Sequence, residues 1–111
     1  MPSIFHIASA EAWAAAQAAG EYRGDTLATE GFIHCSRAEQ VAAVANAYYA
    51  GHVHLALVRI DRARVTSEVR DEPSDGDVFP HIYGPLNLDA VMEVMPFVPG
   101  ADGRFVGPTA G

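Results

Sequence analysis

The chain of 111 residues has a single cysteine, Cys35, so it cannot form an intramolecular disulfide. It also lacks a basic leader followed by an apolar stretch, which is the pattern of a secretion signal. Both absences favour a reducing, cytoplasmic setting. No run approaches the ~20 apolar residues of a membrane span. We therefore expect the hydrophobic residues, 50% of the chain, to form the core of a water-soluble protein.

Basic side chains are scarce as well. The sequence has 14 acidic residues against 7 basic ones, and its formal net charge is -7. Nucleic-acid binding depends on basic side chains that neutralise phosphates, so DNA is not an expected partner. A small anionic ligand is not excluded, because single arginines and backbone amides can bind one.

The length suits one domain with its own core, and no linker or internal repeat divides the chain. We expect a single domain over residues 1–111. Glycine and proline are frequent near the end, which predicts a loose tail over about residues 98–111. The sequence does not indicate an oligomeric state.

Two helices are predicted in the N-terminal half, each after a short strand, "SIFHIA" and "FIHCS". In the first helix Ser9 is the N-cap and Gly20 ends the helix. In the second, "SRAE" from Ser36 fits a capping box and Gly51 ends the helix. The segment between them, "EYRGDTLATEG", has no clean period and indicates a loop or a short helical turn.

The second half of the chain is dominated by predicted strands. "VHLALVRID" is nearly continuous in apolar residues, which is typical of a central strand covered on both faces. "RVTSEVRDE" indicates its more exposed neighbour, and "LDAVMEVMPFV" a final strand. "DVFPHIYGPL" is interrupted by Pro80 and Gly84, which favours an edge strand or a bend. Helices followed by strands predict an α+β fold.

Strand alternation decides how the histidine and cysteine of "GFIHCS" relate. Successive side chains of a strand point to opposite faces, so His34 shares a face with Phe32 and Ser36. Cys35 then lies on the other face with Ile33, where His34 cannot activate it. We expect Cys35 to be a small core residue, since no cationic group is placed beside it.

The same alternation turns His6 away from its apolar neighbours and puts His81 on the same face as Tyr83. Solvent-facing histidines on half-buried strands would also give this pattern. We prefer a shared pocket, because these histidines lie among small residues, glycine and proline that leave room for a ligand.

The remaining chemical candidates are weaker. His52 and His54 in "HVH" would share a strand face, but no third metal ligand is in view, so we interpret them as strand-edge residues and assign no metal site. Glu72 fits either a pocket rim or an exposed strand end. Arg23, in the glycine-flanked "YRGD", fits either a phosphate contact or a solvated loop.

The ordered motifs "FHIAS", "EGFIHCS" and "FPHIYGPL" resemble the small bacterial domain of unknown function family 952, from about Ile4 to Met95. That family is similar in turn to the ADP-ribosyltransferase-like fold, an α+β sandwich of split sheets that grips NAD in a cleft. The resemblance therefore implies such a sandwich, with two helices in its N-terminal half.

The resemblance also implies roles for single residues. His6 occupies the place of the first-strand histidine that meets the NAD ribose, although the usual His-Gly-Thr is here His6-Ile7-Ala8. Glu72 is the carboxylate nearest in order to the glutamate that stabilises the ribosyl cation. The candidate catalytic residues are His34, His81 and Glu72, and the candidate ligand-binding residues are His6, Ser36, Tyr83 and, from its glycine-flanked loop, Arg23.

The resulting functional hypothesis is a cleft for NAD or an ADP-ribose-like nucleotide, with transferase or glycohydrolase chemistry. NAD would be a substrate, and no cofactor is identified. One alternative is a nucleotide-binding module that has lost catalysis. A second is a metal-assisted hydrolase that uses the histidines.

Overall fold

The computed structural model describes residues 3–108 and shows a small mixed α+β fold. In chain order the strands are β1 (Ser3–Ser9), β2 (Glu21–Tyr22), β3 (Ile33–His34), β4 (Leu55–Asp61), β5 (Glu68–Ser74), β6 (Asp77–Tyr83), β7 (Leu86–Asn87) and β8 (Val91–Phe97). The α-helices are α1 (Ala10–Ala19), α2 (Thr26–Glu30) and α3 (Val41–Tyr48), and 3₁₀ turns cover Ala38–Gln40, Arg62–Arg64 and Leu88–Ala90.

The strands form three small antiparallel sheets. The first has the order β1-β4-β8, the second β3-β6-β5, and β2 pairs with β7 in the third. β4 lies at the centre of the first sheet and is buried on both faces, which confirms the interpretation of its continuous apolar run. No helix among residues 3–108 is long and apolar enough to cross a membrane.

Helix α1 forms as its capping residues predict. The Ser9 hydroxyl accepts a hydrogen bond from the Ala12 amide at 3.0 Å, and Gly20 ends the helix with a φ of 89°. Glycine adopts this left-handed conformation without the steric penalty of a Cβ atom. The segment after α1 contains β2 and the five-residue helix α2, so the N-terminal half has three α-helices, one more than predicted.

The start of the next helix corrects the predicted capping box. Ser36 is extended and pairs with Phe5 through two backbone hydrogen bonds of 2.8 Å. The box lies one residue later, where the Arg37 amide donates to the Gln40 side chain at 2.8 Å. A backbone amide used for strand pairing keeps Ser36 out of the helix. α3 then ends at Tyr48, before Gly51.

The second sheet corrects two strand assignments. β5 pairs with β6 rather than with β4, because the 3₁₀ turn Arg62–Arg64 leads the chain out of the first sheet. β6 is central, not an edge, although it contains Pro80. The Pro80 carbonyl accepts from the Cys35 amide at 3.1 Å, so its missing N–H faces the end of β3, where strand pairing stops.

Residues 98–108 contain no regular helix or strand, and Phe105 anchors this segment. Its side chain is buried and its backbone amide and carbonyl both bond to the Asn46 side chain on α3. Residues 109–111 of the predicted tail lie outside the described residues.

Candidate functional site

A cleft of about 350 Å³ lies between the second sheet and α3. The sheet wall includes His34, Ser36 and His81, and the helix wall includes Val44, Tyr48 and Tyr49. Register explains the sheet wall, because His34 on β3 pairs directly with His81 on β6 and the two rings lie 5.3 Å apart. The structure thus brings together three of the predicted site residues.

The predicted alternation of side chains along "GFIHCS" is confirmed. The Phe32 ring stacks on His81 at a centroid distance of 4.1 Å and lies 4.8 Å from His34, so these rings share one face. Cys35 is buried and packs with Ile33 in the core. Burial raises the pKa of the Cys35 thiol, which keeps it protonated and unreactive.

Glu72 and His81 form the most distinctive arrangement at this face. The His81 side chain is only 5% exposed, and its Nδ1 lies 2.9 Å from Glu72 Oε1. The Tyr83 hydroxyl donates to the same oxygen. Within residues 3–108, Nε2 of His81 is the one buried side-chain polar atom without a hydrogen-bond partner. His81 borders the cleft, whereas Glu72 does not.

The hydrogen bonds around Glu72 fix its charge. The Tyr83 hydroxyl, and then His81, hold the pKa of the Glu72 carboxyl below its usual range, while the bond to Glu72 raises the pKa of Tyr83. The Arg70 guanidinium lies 4.2 Å from the centre of the Tyr83 ring, a cation–π contact on the same face. In the imidazole tautomer that donates from Nδ1 to Glu72, the lone pair is on Nε2.

His6 does not line the cleft. Its Nδ1 donates to the His34 carbonyl at 2.6 Å, and its Nε2 accepts from the Tyr22 hydroxyl at 2.6 Å. Burial lowers the pKa of His6 to about 4. Both ring nitrogens are therefore used in holding β1, β2 and β3 together, and neither is available to the expected ribose.

The structure does not bring Arg23 to the cleft either. This side chain pairs with Glu21 at 2.8 Å and lines a separate groove beside α1. Ser36 does line the cleft, although its backbone is occupied by β1. Of these two predicted ligand-binding residues, only Ser36 lines the cleft.

His52 and His54 are not on a strand, which corrects their sequence-based assignment. β4 begins at Leu55, and His54 has a φ of 59°, so the two imidazoles do not share a strand face. Across residues 3–108, no group of three or more histidine, cysteine, aspartate or glutamate side chains is arranged to hold a metal ion.

Sequence reasoning missed several lining residues, notably Glu30, Asp75 and Phe79. The Glu30 carboxylate lies 3.2 Å from His34 Nε2, and Asp75 accepts a hydrogen bond from the Tyr48 hydroxyl across the cleft. The dipeptide Asp75–Gly76 could have indicated a hairpin turn at this end of the cleft, because it is a typical two-residue turn sequence. In the structure both residues have positive φ.

Comparison with known proteins gives a family and a fold. The sequence model of DUF952, described as a protein of unknown function, matches residues 7–94. The crystal structure of protein CC0527 from Caulobacter crescentus is 31% identical, with a TM-score of 0.86 over 94% of this chain and 93% of that one. Its solution NMR structure is 32% identical, with a TM-score of 0.81 over 94% and 91%. No curated protein matches the chain.

Proposed function

This chain belongs to the DUF952 family, and from that premise we propose that its cleft binds NAD or an ADP-ribose-like nucleotide and acts on it as an ADP-ribosyltransferase-like or NAD glycohydrolase-like enzyme. One observation carries the catalytic part of the proposal. A buried imidazole beside the cleft is oriented by a carboxylate on Nδ1 and has no hydrogen-bond partner on Nε2, which is an arrangement suited to a general base.

In this reaction His81 removes a proton from the attacking water or acceptor hydroxyl. The oxygen forms a bond to C1′ of the ribose as the C1′–N bond to nicotinamide breaks. Nicotinamide leaves with the electron pair of that bond, and the imidazolium returns its proton to solvent. Glu72 stabilises the imidazolium through Nδ1, as carboxylates do for catalytic histidines.

The shape of the fold supports the nucleotide class. Two three-stranded sheets, joined through Phe5 and Ser36, give a split α+β arrangement of the kind that an ADP-ribosyltransferase-like sandwich has. The aromatic rings of Tyr48, Tyr49 and Phe79 line the cleft and offer stacking surfaces for a base. His6 and Arg23 are not part of the proposed machinery, because their partners lie elsewhere.

A binding module without catalysis is the second candidate, and one observation favours it. Oε1 of Glu72 already accepts from both Tyr83 and His81, and Glu72 does not line the cleft. A carboxylate in that position gives less electrostatic stabilisation to a developing ribosyl cation than one that faces it directly.

The test is incubation with NAD and detection of released nicotinamide, for the wild type and for His81→Ala. Loss of a general base predicts a fall in kcat of about 10²-fold or more, whereas Glu72→Gln, which keeps the base but removes the charge that stabilises the imidazolium, predicts a smaller fall. His54→Asn removes an exposed histidine outside the cleft, at a φ of 59° that asparagine tolerates, and is the matched control. Thermal denaturation of each variant shows that it is folded.

The outcomes separate the two candidates. Stabilisation by millimolar NAD without nicotinamide release selects the binding module. No stabilisation by NAD, ADP-ribose or nucleoside phosphates contradicts both nucleotide proposals. Nicotinamide release that is equal in wild type and His81→Ala contradicts the role of His81.

A further inference from the structure

We infer that the cleft selects a flat cationic group, of the amidinium or cationic heterocycle class, over an anionic group of the same shape. The inference rests on the proposed function only in that the same cleft is the ligand site. The part of a ligand that enters the cleft is expected to carry a positive charge.

The charges that line the cleft are acidic. Glu30 at the end of α2 and Asp75 in the turn between β5 and β6 contribute carboxylates, and no arginine is among the lining residues of the described chain. Each carboxylate uses one oxygen in its bond to His34 or Tyr48, and its charge remains. Two carboxylates beside a partly enclosed site attract a cation and repel a phosphate or a carboxylate.

The nearest arginines do not reverse this balance. Arg37 is bonded to Glu39 at 2.9 Å and to the Val78 carbonyl at 2.7 Å. Arg70 pairs with Glu68 at 2.8 Å and lies over the ring of Tyr83. Neither guanidinium group lines the cleft, so an anion inside it would have no arginine partner among the described residues.

The uncharged surfaces point to the same ligand. The rings of Tyr48, Tyr49 and Phe79 offer faces to which a planar cation is attracted. His81 borders the cleft and its Nε2 has no hydrogen-bond partner, and in the tautomer that donates from Nδ1 to Glu72 this nitrogen is an acceptor for an N–H group. A cation with N–H groups on a flat frame satisfies the lone pair, the rings and the carboxylates together.

The volume limits how much of a ligand is held. About 350 Å³ is at the lower end of small-molecule sites and accommodates one ring system with its substituents. For a dinucleotide, the phosphates would then lie outside the cleft in solvent, and a positively charged ring would be the part that enters.

Three probes of nearly equal shape test the inference: benzamidinium, benzamide and benzoate, measured by calorimetric titration at pH 7.5 and low ionic strength. We expect benzamidinium to bind about tenfold more tightly than benzamide, and benzoate more weakly still. Glu30→Gln and Asp75→Asn should each weaken benzamidinium binding about threefold, in line with partly exposed ion pairs. Asparagine also tolerates the φ of 50° at position 75.

Glu93→Gln is the matched control, because it removes the same charge from the exposed face of β8 outside the cleft. It should leave benzamidinium binding unchanged. Equal binding of the three probes, tighter binding of benzoate, or no binding of benzamidinium would each overturn the inference. These results are independent of nicotinamide release. Selective benzamidinium binding without NAD turnover would retain the cation-selective cleft and contradict only the proposed enzyme.

Discussion

His6 shows how one buried residue ties the stability of the fold to pH. Its ring bonds to the His34 carbonyl and the Tyr22 hydroxyl, and burial lowers its pKa from 6.5 to about 4. The unfolded chain therefore binds a proton at this residue at pH values where the folded chain does not. Between those two values, acid favours the unfolded state.

We predict that the free energy of unfolding falls by roughly 3 kcal/mol as the pH drops from 6.5 to 4 because of His6, at 1.36 kcal/mol for each unit of pKa difference. The measurement is urea denaturation at several pH values. His6→Gln cannot take up the proton, so its stability should decline less over this range, from a lower starting value. His52→Gln, at an exposed site, should follow the wild type. A parallel decline in wild type and His6→Gln would contradict the role of His6.

The residue scale also shows what the sequence could predict about the site. Strand alternation separated His34 from Cys35 correctly, because the pleat is a local property of the chain. It could not identify the partners of His6. Tyr22 comes from a two-residue strand in a segment without a period, and only the folded chain brings it to His6.

At the scale of elements, the ends of a helix could be predicted from the sequence, whereas the pairing of the strands could not. Ser9 and Gly20 bounded α1 correctly because caps are set by neighbouring residues. The partner of β5 and the central place of β6 depend on contacts between distant parts of the chain. Proline at position 80 argued for an edge, and the structure accommodates it where β3 has already ended. A single sequence does not indicate which of its distant strands will pair.

The chain just after β6 requires glycine at position 84, in the "HIYGPL" segment. A Cβ atom there would lie 2.4 Å from the Ser67 hydroxyl oxygen and 2.9 Å from its Cβ, at a φ of 154°. We expect Gly84→Ala to lower the free energy of unfolding by at least ~2 kcal/mol, since overpacking adds to backbone strain. Chemical denaturation monitored by circular dichroism measures the change.

Gly76→Ala is the control for backbone strain alone. Gly76 has a φ of 81°, but nothing lies within 4 Å of a Cβ atom built on it. Its cost should be about 1 kcal/mol, the usual penalty for a left-handed alanine. If the two variants lose equal stability, crowding against Ser67 is not what requires glycine at position 84.

At the scale of the whole molecule, two clusters of apolar side chains pack on opposite faces of the first sheet. The first includes Trp13, and the second includes Phe97 and Phe105. β1 and β4 supply buried residues to both clusters, so neither cluster can lose its packing without exposing the shared strands. This arrangement favours unfolding of the two clusters as one unit.

Phe105 tests that coupling, because it comes from the segment for which the sequence predicts a loose tail. It is 3% exposed, its ring lies 4.8 Å from that of Phe97, and Asn46 bonds to its backbone. We expect Phe105→Ala to lower the free energy of unfolding by roughly 3 kcal/mol, the cost of removing a buried phenyl ring. The midpoint should fall equally when followed by circular dichroism and by fluorescence of Trp13, the chain's only tryptophan, in the other cluster. Val106→Ala changes a side chain that is 79% exposed and should leave both midpoints in place. A Trp13 transition that does not move with Phe105→Ala would mean that the two clusters unfold independently, with residues 98–108 attached to only one of them.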